Sequence, residues 1–148
     1  MNRKIVPDIV QPTEVAGVAA DVLITDAAKL MCDKKIAALI VTDADGKLIG
    51  IVTERDVVFR GVAKGLDPNV STIADIMTAN PDTLSPNDSA ADALELMQTR
   101  NYRHLPVVDN GNCIAVVSIR DLFSSVKQAL EESIRETEAF VFGDRYGA

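Results

Sequence analysis

The chain has little of what catalytic and metal centres are usually built from. Its 148 residues include one histidine, His104, and two cysteines, Cys32 and Cys113, which stand far apart. Neither cysteine falls in a CxxC or Cys/His spacing, so no zinc site is expected and both read as small apolar core residues. A disulfide between them stays open on sequence alone, although nothing in a chain of this size needs that staple. With a single histidine, any Ser-His-Asp or Cys-His arrangement has to pass through His104, and there is no Walker loop. Basic residues are the minority, 15 against 22 acidic for a net charge of −7, so no global field draws the chain to nucleic acid or an anionic membrane. No run approaches 18 consecutive apolar residues, which excludes a membrane-spanning helix. The opening stretch from Met1 meets Pro7 and Asp8 before any apolar run of signal length, so no export signal and a cytoplasmic location are expected.

What is present is a packed domain, 47% hydrophobic and 25% charged, with mean hydropathy +0.12. A chain of this length buries roughly 68–70% of its extended surface, enough for one compact unit made of two similar halves. The halves are visible as an internal repeat. Residues 25–44 align with 91–110 at an offset of 66, and after one deletion 46–58 align with 111–123, with 12 of 33 pairs identical. Each copy carries a helix signal: Asp88 or Ser89 caps a run whose Ala90, Ala93, Leu94 and Met97 share a face, and Thr25 to Cys32 repeats it. A hairpin follows in each, with strands Ala37–Thr42 and Lys47–Thr53 in copy one, and His104–Val108 and Asn112–Ser118 in copy two. The turn Asp43-Ala44-Asp45-Gly46 has the acidic spacing of a calcium loop, but Leu48 stands where that loop needs glycine, so it reads as a hairpin turn. Each copy is therefore expected to be β-α-β-β-α, in the α/β (α+β) class. Copy one is placed at 5–66, copy two at 71–125, and a helical extension and tail at 126–148. A unit of about 60 residues is marginal alone, so the copies are expected to pack with pseudo-twofold symmetry and leave a cleft at their junction.

The polar residues shared by both copies are the functional clue. Thr53-Glu54-Arg55-Asp56 and Ser118-Ile119-Arg120-Asp121 keep a hydroxyl, a guanidinium and a carboxylate at the same spacing where a strand enters a helix. Such a junction receives an anion such as phosphate, while the carboxylate suits the vicinal hydroxyls of a ribose. Thr53 and Ser118 could equally be helix caps, with Asp56 and Asp121 completing capping boxes. Caps give no reason for Arg55 and Arg120 to recur, and Arg100, Arg103 and His104 add basic character before the next strand. Spacing alone leaves the two readings level.

Tyr102-Arg103-His104-Leu105-Pro106-Val107-Val108-Asp109, followed by Val116-Val117-Ser118-Ile119-Arg120-Asp121-Leu122, resembles the second motif of the cystathionine-β-synthase (CBS) domain pair, of the small stand-alone bacterial type. Gly50-Ile51-Val52-Thr53-Glu54-Arg55-Asp56 resembles the first, and the likeness covers roughly residues 5–125. It implies tandem α/β repeats whose cleft binds an adenosine-containing nucleotide: AMP first, or ADP, ATP, NADH or S-adenosylmethionine. It implies a regulatory, non-enzymatic sensor of energy or metabolite state, with no required cofactor. Carried over by position, Asp56 and Asp121 hold ribose hydroxyls, and Thr53 and Ser118 contact ribose or phosphate. Arg55, Arg103, His104 and Arg120 are the phosphate candidates, while Thr83, Tyr102 and Pro106 border the base. Copy one departs from this pattern with Gly17 opposite Thr83, Ile40 for the proline and Ala37-Ala38 for Arg103-His104. The better site is therefore expected around copy two, borrowing Arg55. Copy two departs at Ala115, where copy one has Gly50.

Past Asp121 the apolar spacing continues through Leu122, Val126, Leu130 and Ile134, a helix from about Ile119 to Ala139. Folding back over the sheets and contacting a second chain are level readings of that helix. The aromatic tail Phe140–Ala148 fits docking on a partner, and a homodimer is expected alongside an unidentified regulated protein, with no nucleic-acid or membrane partner. The alternative function is a structural or oligomerisation module with a vestigial cleft.

Overall fold

The computed structural model describes residues 3–146. Copy one runs β1 (Gly17–Ala19), α1 (Ile24–Lys34), β2 (Ala38–Thr42), β3 (Leu48–Thr53) and α2 (Glu54–Asp56), the last continuing through a wide turn at Val57–Gly61 and a tight one at Val62–Lys64. Copy two has β4 (Thr78–Ala79) before it, then α3 (Ala90–Arg100), β5 (His104–Asp109), β6 (Asn112–Ser118) and α4 (Ile119–Tyr146). The hairpin strands and the α+β class follow the sequence pattern. Their ends repeat too: α1 stops at Lys35 and α3 at Asn101, both left-handed at φ 54° and 57°, and the hairpins turn on Gly46 and Gly111 at φ 81° and 82°. Asn101 adopts that conformation more readily than Lys35, because its short polar side chain tolerates positive φ.

Two details depart from expectation. Ser89 caps α3, its Oγ accepting from the Asp92 N–H at 3.0 Å, but α1 begins after Leu23 with no side-chain cap. Thr25 instead hydrogen-bonds Asn69 Oδ1 at 2.8 Å and ties the helix start to the connector. The first strand of copy two shrinks to a single bridge, Leu84 beside Val107 in parallel, where copy one has the three residues of β1 beside β2.

One sheet orders β1-β2-β3-β4, with β1 parallel to β2 and the other pairs antiparallel; β5 and β6 form a second, antiparallel sheet. Each copy has its own core. Ile24, Ala27, Leu39, Val41 and Val52 gather in the first, and Leu84, Ala93, Met97, Leu105, Val107 and Val117 in the second. The lead-in of each copy packs into the other's core. Ile73 and Ile76, at the start of copy two, complete the first, and Ile5, at the start of copy one, completes the second. Backbone bonds fix this exchange, from Ile73 N–H to Val22 O at 2.9 Å and from Ile5 N–H to Asp88 O at 2.8 Å. The two copies are thereby locked across a pseudo-twofold that faces the strand–helix junction of one toward the helix–strand junction of the other.

Glycine differences between the copies have packing causes. A Cβ on Gly50 would meet Met77 Sδ at 2.7 Å and Thr78 O at 3.0 Å, because β4 lies against β3 there. Ala115, its counterpart, sits in the second core, so the sequence difference reflects this edge contact and not the approach of a ligand. A Cβ on Gly17 would meet Ile40 Cγ1 at 2.9 Å.

Candidate functional site

Both strand–helix junctions are capping boxes. Thr53 N–H donates to Asp56 Oδ2 at 2.9 Å and Asp56 N–H to Thr53 Oγ1 at 3.3 Å. In copy two the bonds are Ser118 N–H to Asp121 Oδ2 at 2.8 Å and Asp121 N–H to Ser118 Oγ at 3.1 Å. Each box occupies one carboxylate oxygen. Asp56 Oδ1 keeps only a loose ion pair to Arg60 Nε at 3.8 Å, and Asp121 Oδ1 accepts no hydrogen bond among the described residues. Capping and ligand binding therefore draw on different oxygens of the same aspartates, although in copy one the Thr53 hydroxyl is itself engaged, donating to Asp56 Oδ2 at 3.1 Å.

Across the pseudo-twofold, the copy-one junction meets the α3–β5 junction of copy two in a cleft of about 330 Å³. Thr53, Arg55, Asp56, Tyr102, Arg103 and His104 line it, joined by Glu54, Phe59, Arg60 and Arg100. Four arginines against two carboxylates make it locally positive within a chain of net charge −7. Two of the four are engaged. Arg60 Nη1 donates to Met77 O at 2.9 Å and Ile76 O at 3.2 Å, and Arg100 Nε stands 3.7 Å from Asp82 Oδ2. The Arg103 guanidinium has no hydrogen-bond or carboxylate partner among the described residues, its backbone carbonyl alone accepting from Ile119 N–H at 2.8 Å, and Arg55 rests its guanidinium 5.3 Å from the centroid of Phe59. Phe59 and Arg60 escape a reading by motif, since they lie beyond it. Their signal is helical spacing, four residues after Arg55 and Asp56.

His104 stands at the centre of this arrangement, half-buried and paired with Ser118 across the hairpin. Burial pushes its imidazole below the usual value of 6.5; the charges of Glu54, Asp121 and Asp56 oppose that, and Arg103 adds to it. The ring is therefore neutral at pH 7, a donor at one nitrogen and an acceptor at the other.

The other sequence-selected residues lie apart from the cleft lining. Arg120 enters the pseudo-twofold counterpart, a more open hollow with Lys35, Ile36, Ala37, Glu54 and Cys32. That hollow has alanine where the first cleft has Arg103. Thr83 is exposed and lines a shallow depression with Lys47, Asn80 and Gly111, and Pro106 is buried in β5, its carbonyl accepting from Leu84 N–H at 2.8 Å. Ser118 and Asp121 are not on the lining of the first cleft, although Asp121 acts on His104 by its charge. Copy two thus supplies the run Arg100 to His104, and copy one supplies both lining carboxylates, with Arg55 and Arg60. Cysteine plays no part in the first cleft, Cys113 being half-buried with its thiol pushed up by burial.

Comparison with known proteins bears on the family and the fold. The sequence model of the CBS domain matches residues 6–62 and 73–128. The CBS domain-containing protein YhcV of Bacillus subtilis is 35% identical over 121 residues, covering 82% of this chain and 84% of its own. A CBS-domain protein from Burkholderia ambifaria superposes with a TM-score of 0.73 at 38% identity, covering 76% and 82% of the two chains. A structure of CBSX2 in complex with AMP, 23% identical, shares the fold at a TM-score of 0.69 over 82% of this chain and 94% of that one. The chain spans about a fifth of the length of the Arabidopsis thaliana CBS domain-containing relatives it matches at 32% to 37% identity. With both repeats matched in sequence and in fold, the chain belongs to the CBS domain family as a CBS domain pair.

Proposed function

We propose that the pair is a regulatory module that binds an adenosine nucleotide, AMP foremost, in the cleft between the copy-one capping box and the basic run of copy two. The observation that carries this reading is the juxtaposition of Asp56, with one oxygen outside its capping box, and Arg103, with no partner of its own, in a positive cleft of an acidic chain. Asp56 Oδ1 would accept from the ribose hydroxyls, Arg103 and Arg55 would hold phosphate by charge-assisted bonds, and the Thr53 hydroxyl would turn from Asp56 Oδ2, to which it donates at 3.1 Å, to reach phosphate. Tyr102 would border the base, and His104 would donate to the phosphate. CBS-domain proteins are generally regulatory, and one with this fold is known in complex with AMP. The reading is non-enzymatic, with no required cofactor.

A ligand regulates only through different affinities for two arrangements of the chain. The cleft joins both copies, so a nucleotide held by Asp56 from one and Arg103 from the other would bias their relative position and, through it, a regulated partner. A homodimer belongs to this reading, twofold as most homo-oligomers are. No helix among the described residues is long and apolar enough to cross a membrane, and the proposed location is the cytoplasm.

A thermal-shift panel of AMP, ADP, ATP, NADH and S-adenosylmethionine tests the ligand class. A ligand at a hundred times its Kd adds about 2.7 kcal/mol to stability. A selective rise with one adenosine ligand is expected. No rise with any of them, in folded protein freed of nucleotide, would leave the oligomerisation module as the better account.

A further inference from the structure

The last helix carries two apolar faces, and the fold covers one. Leu122 and Ser125 are buried against the body, Val126 and Ala129 are half-buried, and Arg3 reaches Ser125 Oγ at 3.5 Å and Glu132 Oε2 at 3.4 Å. Rotated by roughly 130° about the axis, at about 100° per residue, lies a second stripe. It consists of Phe123, Leu130, Ile134 and Val141, exposed by 59%, 55%, 57% and 51%. Their spacing of seven, four and seven is that of a coiled-coil seam, with Lys127 and Thr137 at the intervening positions. From Ser133 to Gly143 every residue is exposed, so the second half of α4 extends beyond the body that its first half covers. The aromatic end takes part: Phe140 and Phe142 are 71% and 54% exposed. The side chains of 144–146, and Gly147 and Ala148, lie outside the described residues.

We propose that a second copy of this chain covers the stripe, the two α4 helices lying antiparallel about a twofold axis near residues 132–133. The charges along one flank single out this arrangement. Lys127, Glu131, Arg135 and Glu138 alternate in sign beside the stripe. In an antiparallel pair this flank meets its own copy. Lys127 then faces the partner's Glu138, and Glu131 the partner's Arg135. The same register sets Leu130 opposite the partner's Ile134 and Phe123 opposite the partner's Val141, so the apolar and charged pairs agree on one axis. In a parallel pair the charged flank would face Val126, Ser133 and Phe140, which offer it no charge.

Sedimentation equilibrium of the full chain at low salt tests this. Ile134→Asp is expected to halve the weight-average mass at micromolar concentration, and Ile134 is exposed, so the chain's own cores are untouched. Lys127→Glu should raise the dissociation constant roughly tenfold, since it turns two attractions between chains into repulsions, besides exchanging the 4.0 Å Lys127–Glu131 pair within the helix for a repulsion. The double variant Lys127→Glu/Glu138→Lys should associate more tightly than Lys127→Glu alone, recovering the pairs between chains. Residues eleven apart on one helix do not touch, so that rescue requires contact between chains. An unchanged mass for Ile134→Asp would overturn the proposal, as would a double variant that associates no better than Lys127→Glu alone.

Discussion

Asp56 shows how one side chain serves fold and site together. Its backbone and Oδ2 close the box with Thr53, and Oδ1 is left to a loose pairing with Arg60. Asp56→Asn keeps an acceptor for Thr53 N–H but removes the charge, so it should weaken AMP binding about tenfold in a calorimetric titration at nearly wild-type stability. Thr53→Ala should cost about 1 kcal/mol of stability through the lost cap, measured by urea unfolding. His104 contributes a dependence on pH. Its imidazole lies below 6.5 in the folded chain, so the unfolded chain binds more protons and stability falls as pH drops through 6.5 toward the folded value. His104→Gln should remove that part of the slope between pH 7.5 and 5.5 in thermal unfolding. Phosphate beside the ring favours its protonated form, so wild-type nucleotide affinity should rise over the same fall in pH, and the variant should lack the rise. The aspartates, arginines and histidine were legible because duplication kept or replaced them at fixed spacing. The cleft partners Phe59 and Arg60 were not, because their counterparts in copy two are Ser124 and Ser125 and no shared pattern marks them.

At the scale of elements, hairpins and helices follow from alternation, caps and turn glycines, and the structure adds matching register shifts after Val41 and Val107. The sequence is silent on the exchange of lead-ins, since Ile5, Ile73 and Ile76 sit in short segments with no periodicity to say which core they enter. That exchange is also why the basic run and its facing carboxylate come from different copies. Ile76→Ala should destabilise the protein by about 2–5 kcal/mol, as expected for a fully buried isoleucine, although it lies outside the copy whose core it fills. Gly50→Ala, which looks harmless because copy two has Ala115, should cost about 1–3 kcal/mol through overpacking against Met77 and Thr78. Chemical unfolding measures both, and a neutral Gly50→Ala would show that β4 yields where the contact distances say it is tight.

For the whole molecule, two CBS repeats each complete the other's core and face complementary junctions across a shared axis. One of the two clefts has Arg103 on its lining where the other has Ala37, although Arg120 lines the second, so the proposed reading puts the stronger site in the first. The central claim is that an adenosine nucleotide bridges Asp56 of copy one and Arg103 of copy two. The most direct measurement is calorimetric titration of AMP into nucleotide-free protein and into Arg103→Ala, whose guanidinium holds nothing in the described fold. Loss of a charge-assisted bond of about 1.5–3 kcal/mol corresponds to roughly 10- to 150-fold in affinity. The account predicts saturable binding near one AMP per chain, weakened by that factor in the variant. Equal affinity in both proteins, or no binding of any adenosine ligand to the folded wild type, would contradict it.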